Sequence, residues 1–189
     1  STKLVMESQA RKRDPRLPVV CLQLGPGMAD VVAEGWRMSL KVWELISIIL
    51  STLVAGIFFG PWVALSGTAG GFKPEVWLAI VNRFNSNLFL VMSVLMPGAL
   101  LSIVPVLFMT YNGQGSTFFL NAIAVVLSAA GLLVTVLVQM PLVKQMRGWT
   151  VATLPHNWEQ IRDRWEAFHA VRVVASVAGL VMMLTAAIF

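Results

Sequence analysis

The sequence predicts an all-α integral membrane protein, a four-helix bundle in which a surface helix leads into the fourth span. Two observations carry this prediction. Of 189 residues, 57% are hydrophobic and only 12% are charged, whereas roughly a quarter of the residues in a soluble domain are charged. The apolar residues also fall in four blocks, 42–65, 88–109, 118–140 and 170–189, each close to the roughly 20 residues a helix needs to cross the bilayer core. Strands would be shorter, and backbone in hydrocarbon must satisfy its hydrogen bonds internally.

Residues 1–40 read as a basic tail. Arg11, Lys12, Arg13 and Arg16 supply much of the formal charge of +5, and Pro15, Pro18, Gly25, Pro26 and Gly27 interrupt any long helix there. Anionic lipid headgroups suit such a tail better than nucleic acid does. The single cysteine, Cys21, forms no intrachain disulfide. One cysteine and two histidines do not make a closed zinc site of four protein ligands, so no metal is expected. The first apolar block begins some forty residues in and lacks a small-residue cleavage pattern, so it is expected to stay in the mature chain. Residues 41–189 then form the transmembrane domain.

The connections fix the topology. Tyr111-Asn112-Gly113-Gln114-Gly115-Ser116 is a tight uncharged turn, which makes the second and third helices an antiparallel hairpin. The other two connections lie together on the opposite membrane face. One is the flexible Ser66–Gly71 loop followed by a short helix from Pro74 through Glu75, Trp77 and Asn82. The other, residues 143–169, contains Pro155 and a helical stretch running into the last span. Lys73, Arg83, Lys144, Arg147, Arg162, Arg164 and Arg172 on that face nearly balance the basic residues of the N-terminal side, and the N-terminus is expected, by a weak preference, in the cytoplasm.

Polar residues within spans are costly, so their positions point to function. Trp158, Arg162, Trp165, His169 and Arg172 recur at intervals of four, three, four and three, which is one stripe of a helix. The stripe continues through Ser176, Gly179 and Met183, and the small Ser176 and Gly179 let a neighbour approach. An interfacial belt explains Trp158 and Arg162 equally well, but His169 and Arg172 lie deeper. On the third helix Asn121, Ser128 and Thr135 recur every seven residues and Gln139 follows. Asn121 and Ser128 read as interhelical hydrogen-bond partners. Gln139 is expected to meet Asn82, Arg83, Asn87, His169 and Arg172 in a polar pocket at the membrane boundary. Glu44, Ser47 and Ser51 share a face of the first helix towards the other side, where Glu44 can pair with Arg37 or Lys41.

Several segments together resemble the anthrone oxygenase-like membrane family, whose members include many of unknown function. They are Ala55-Gly56-Ile57-Phe58-Phe59, Val81-Asn82-Arg83 with Asn87 and Phe89, Val134-Thr135 with Gln139-Met140-Pro141-Leu142, and Trp158 with Trp165-Glu166-Ala167-Phe168-His169-Ala170-Val171-Arg172. The last is the most specific, and the resemblance spans roughly residues 50–189. The family usually has asparagine on both sides of the third-helix proline. Here Gln139 keeps an amide and Val143 does not, which leaves open whether the same molecule is bound.

The resemblance implies oxidation of an anthrone-type aromatic or polyketide-like ketone by dioxygen, with no cofactor. In residue terms His169 is the base, since histidine titrates near neutrality, and Arg172 steadies the oxyanion. Trp158 and Trp165 flank a flat hydrophobic small molecule, with Gln139, Asn82, Arg83 and Asn87 around it. Two other readings stay open. One is a haem-binding membrane enzyme or electron carrier with His169 or His156 as axial ligand. The other is a non-enzymatic accessory subunit, in a homo-oligomer or membrane complex, whose polar stripes serve packing alone. Phosphate loops, paired intramembrane carboxylates and histidine pairs at metal spacing are absent from the sequence.

Overall fold

The structure, a computed structural model, describes residues 26–111 and 115–189. Arg11, Lys12, Arg13, Arg16, Cys21 and the centre of the hairpin turn lie outside the described residues. The chain forms α1 (Pro26–Leu65), α2 (Pro74–Thr110) and α3 (Gly115–Val134). A π-helical turn (Thr135–Gln139) then carries α3 into α4 (Met140–Met146), and α5 (Trp158–Ile188) follows. Short 3-10 turns at Ala69–Gly71 and Val151–Thr153 lie in the two long connections. Four helices, Asp30–Leu65, Ser86–Thr110, Gly115–Met146 and Trp158–Ile188, are long and apolar enough to cross a membrane. The chain is therefore a multi-pass integral membrane protein built as an all-α bundle. In the bundle α1 packs on α2 and α5, while α3 packs on α2 and, most extensively, on α5.

Helix extents differ from the sequence reading in two places. The short helix expected at Pro74 is the beginning of α2 itself, because no glycine or proline interrupts the chain from Glu75 to Met96. Likewise α1 begins inside the predicted tail, at Pro26. Proline at a first helical position loses no hydrogen bond, and a glycine such as Gly35 costs only about 1 kcal/mol within a 40-residue helix. The surface helix leading into the fourth span is α5, whose 31 residues extend about 46 Å. That exceeds a hydrocarbon core of about 30 Å, so its first turns stand outside.

The outer face of the bundle is apolar. Leu90, Val94, Leu101 and Phe108 of α2 are 67–74% exposed, and their spacing of four and seven makes one lipid-facing stripe. Inside, Trp77, Val81, Leu142, Met146 and Trp165 pack at the end of the long connections. Val54, Phe58, Met96, Ala99 and Val173 form a second cluster, and Ile103, Ala124 and Met183 a third. Ser47 Oγ lies 2.7 Å from the Ser102 carbonyl and ties α1 to α2. Asn121 was expected to bond between helices. Its amide instead donates to the Thr117 carbonyl of its own helix, at 3.0 Å.

Gly179 sets the α3–α5 distance. A Cβ there would stand 3.7 Å from the Ala124 carbonyl oxygen and from Leu127 Cβ, and 3.8 Å from Ser128 Oγ, so a methyl fits and nothing longer does. Gly179→Ala is expected to melt in detergent at or slightly above the parent temperature, and Gly179→Leu to lose about 1–3 kcal/mol through overpacking. Thermal unfolding followed by circular dichroism checks both.

Candidate functional site

The helical stripe read on α5 faces the bundle along its length. Arg162, Trp165, His169, Arg172, Gly179 and Met183 are all buried. At its outer end Arg162 stacks 5.1 Å from the Trp158 ring and pairs with Asp163 at 2.8 Å. One turn further in, Trp165 meets the edge of Trp77 at 5.5 Å. It also lies flat against His169, with ring centroids 5.3 Å apart and an interplanar angle of 8°. The indoles thus cap His169 and Arg172 on the side of the long connections.

Two backbone irregularities lie beside the partners of these side chains. In α1, Pro61 has no N–H to offer the Ile57 carbonyl, so the hydrogen-bond ladder is interrupted beside Phe58. There the Phe58 carbonyl oxygen lies 3.1 Å from His169 Nε2. Between α3 and α4, the Met140 N–H bonds the Thr135 carbonyl, five residues back. This π turn, a device frequent at functional sites, lets residues four apart make separate contacts with α5. Thr135 Oγ1 accepts from Arg172 Nη1 at 3.2 Å, and the Gln139 amide donates to the Trp165 carbonyl at 2.9 Å.

Donor and acceptor inventories then fix the protonation pattern. A guanidinium only donates, so His169 Nδ1, 2.8 Å from Arg172 Nη2, accepts and carries no proton. A carbonyl only accepts, so Nε2 bears the hydrogen that goes to Phe58. His169 is held as the neutral Nε2–H tautomer. Thr135 donates its own hydroxyl proton to the Gly131 carbonyl at 2.8 Å. Every bond in the chain is directed away from Arg172, across α5, α1 and α3.

Arg172 is the unusual member. It is only 8% exposed, its Nε has no hydrogen-bond partner, and among the described residues no carboxylate pairs with it. Its remaining compensation is the face of Phe58, whose centroid is 4.5 Å from the guanidinium carbon. Arg172, His169, Trp165 and Gln139 form the polar wall of a cavity of about 390 Å³, within the range of small-molecule sites. The opposite walls are apolar, with Phe84, Leu88, Met92, Met96, Leu132 and Met140 prominent, and Lys144 and Arg147 stand at one end. Phe89 and Val136 line the cavity and are also exposed on the lipid-facing surface, so it opens sideways between α2 and the π turn.

The predicted site residues divide accordingly. Gln139, Trp165, His169 and Arg172 are brought together. Trp158 packs beside the outer tryptophan cluster, and neither it nor Asn82, Arg83 or Asn87 lines the cavity. Along α2 the cavity face is the four-residue series Phe84, Leu88, Met92 and Met96. Arg83 and Asn87 sit one residue earlier, are exposed, and so point away from it. Val143, where the family usually has asparagine, does line the cavity. The residues missed are Phe58, whose relevant group is a backbone carbonyl, and Thr135, which the polar stripe contained without marking. Pro61 was the available signal for Phe58. Of the two histidines weighed as haem ligands, His169 has both nitrogens engaged and His156 is exposed. Among the described residues no group of three His, Cys, Asp or Glu side chains is placed to hold a metal ion.

A family model described as anthrone oxygenase matches residues 86–182, half of the chain and all of the polar wall. The chain belongs to this family. No curated protein and no solved structure matches it. The matched region begins just past Arg83 and excludes Phe58, so the α1 side of the network is this chain's own observation.

A buried charge without a counter-ion is a cost to folding. Arg172→Met is expected to melt at or a few degrees above the parent temperature. His169→Ala, which removes an acceptor and leaves the cation, is expected to lose about 2–3 kcal/mol. Paired melts in the same detergent test the asymmetry.

Proposed function

We propose that the chain is a membrane oxygenase that uses dioxygen to convert the methylene group of an anthrone-type ketone to a second carbonyl. The observation that carries this reading is Arg172, a buried cation without a counter-ion in the polar wall of an otherwise apolar cavity. Such a wall favours a flat apolar molecule that develops negative charge on one oxygen. The family membership points to the same substrate class.

The ketone enters from the bilayer with its carbonyl oxygen towards Arg172. When that oxygen takes the Nη2 hydrogen bond, Nδ1 of His169, 2.8 Å away, is released from the guanidinium and becomes the base. Binding thereby arms deprotonation. The methylene proton passes to Nδ1, and the electron pair it leaves spreads to the carbonyl oxygen as an enolate stabilised by Arg172. The enolate gives one electron to dioxygen, and the resulting carbon radical and superoxide couple to form a C–O bond. The imidazolium returns its proton to the peroxide. The same carbon then loses its second hydrogen as a proton, the O–O bond breaks, and hydroxide and proton leave as water. Overall one ketone and one O₂ give one diketone and one H₂O. The substrate carbanion is the reductant, so the residues named suffice.

The test is oxygen uptake and quinone absorbance with purified protein and anthrone, corrected for spontaneous autoxidation. One O₂ per quinone is expected. Arg172→Met and His169→Ala should each lower kcat/KM by about 100-fold or more, with Arg172→Lys intermediate because it keeps the charge and loses the fork. Parent-level turnover in both alanine- and methionine-type variants would refute the reading.

A further inference from the structure

Arg172 lines a second, smaller cavity. It has a volume of about 30 Å³ and lies deeper in the bundle, among Val54, Met96, Ala99, Leu127 and Leu180, with Ser51, Ser128, Ser176 and Gly131 completing it. Phe58, Met96 and Arg172 belong to the walls of both cavities, so the two are adjacent chambers with the guanidinium in the partition. A volume of about 30 Å³ holds one diatomic molecule or a water. The mainly apolar walls suit the former, with Ser128 and Arg172 as the polar exceptions. Ser51 already donates to Met183 Sδ at 3.5 Å, and Ser176 donates to the Val173 carbonyl at 3.0 Å. Dioxygen is itself apolar and concentrates in the hydrocarbon that surrounds these helices.

We infer that the small chamber is the dioxygen station of this site. Gas from the bilayer interior lodges there and reaches the ketone carbanion past Met96, an unbranched and adaptable side chain that forms part of both walls. The guanidinium then adjoins both partners, the enolate oxygen on one side and the superoxide formed by one-electron transfer on the other. No additional oxidant or reductant enters the balance. The inference rests on the oxygenase reading above, and its test separates the two.

Gly131 offers the test. It lies in the chamber wall, and a Cβ added to it would have nothing within 4 Å, so Gly131→Ala places a methyl group in open space. Alanine also favours the helix, which protects folding. In Gly131→Ala the oxygen KM is expected to rise about five-fold or more while the ketone KM stays within about two-fold. Xenon-pressurised crystals should show one gas atom in the parent chamber and none in the variant. An unchanged oxygen KM, or ordered water in the parent chamber in place of xenon, overturns the inference. If the parent does not turn over anthrone, the oxygenase reading fails by itself. Xenon in the chamber then still supports a gas site, and its absence removes it.

Discussion

The positive charge of Arg172 governs the architecture around it. At its depth in the bundle an ion is expensive, and no acid among the described residues offsets it. The surroundings respond with acceptors and a π face: Nδ1 of His169, the hydroxyl of Thr135 and the ring of Phe58. Each comes from a different helix or turn of the bundle, so satisfying the cation also fixes how α1, α3 and α5 stand relative to one another. The neutral state and tautomer of His169 are consequences of the same charge, since a donor-only neighbour leaves Nδ1 no choice but to accept.

Helix irregularities lie beside the partners of Arg172 and His169. A regular α1 would commit every carbonyl to its own ladder, and Pro61 interrupts it next to the one that His169 uses. A regular α3 would not bring Thr135 and Gln139 to two successive levels of α5 in the same way. Above this layer, Trp77, Trp158 and Trp165 pack with Arg162 and separate the site from the headgroup region. The guanidinium is largely buried, and electrostatic interactions there gain strength from the low dielectric.

The sequence made the α5 half of the site legible because periodicity reports direction. Residues recurring at three and four must share a face, and the polar ones in a membrane helix must look inward, so Trp165, His169 and Arg172 followed. Asn82, Arg83 and Asn87 were placed by depth, which gives the level of a residue along the membrane normal and not its azimuth. Once α2 runs unbroken from Pro74, the apolar series Phe84 to Met96 takes the cavity and the polar neighbours turn outward. Phe58 contributes a carbonyl as well as its ring face, and a carbonyl is a group every residue possesses, so only the nearby Pro61 marked it. Thr135 was visible as polar and inward. Only its bond to Arg172 distinguishes it from the packing hydroxyls of the same stripe.

The π turn has a further consequence for how such a site can change over time. It holds one residue more than an α-helical turn, and removing that residue would rotate everything after it by about 100°. Lys144 and Arg147, at one end of the cavity, lie beyond the turn, whereas Thr135, the partner of Arg172, opens it. One helix therefore carries the partner of Arg172 and the end of the cavity at Lys144 and Arg147 as two separately adjustable modules. An insertion or deletion between them would re-aim that end of the cavity while leaving Thr135 in register with Arg172. A single-residue change there is a short evolutionary path to a differently lined cavity.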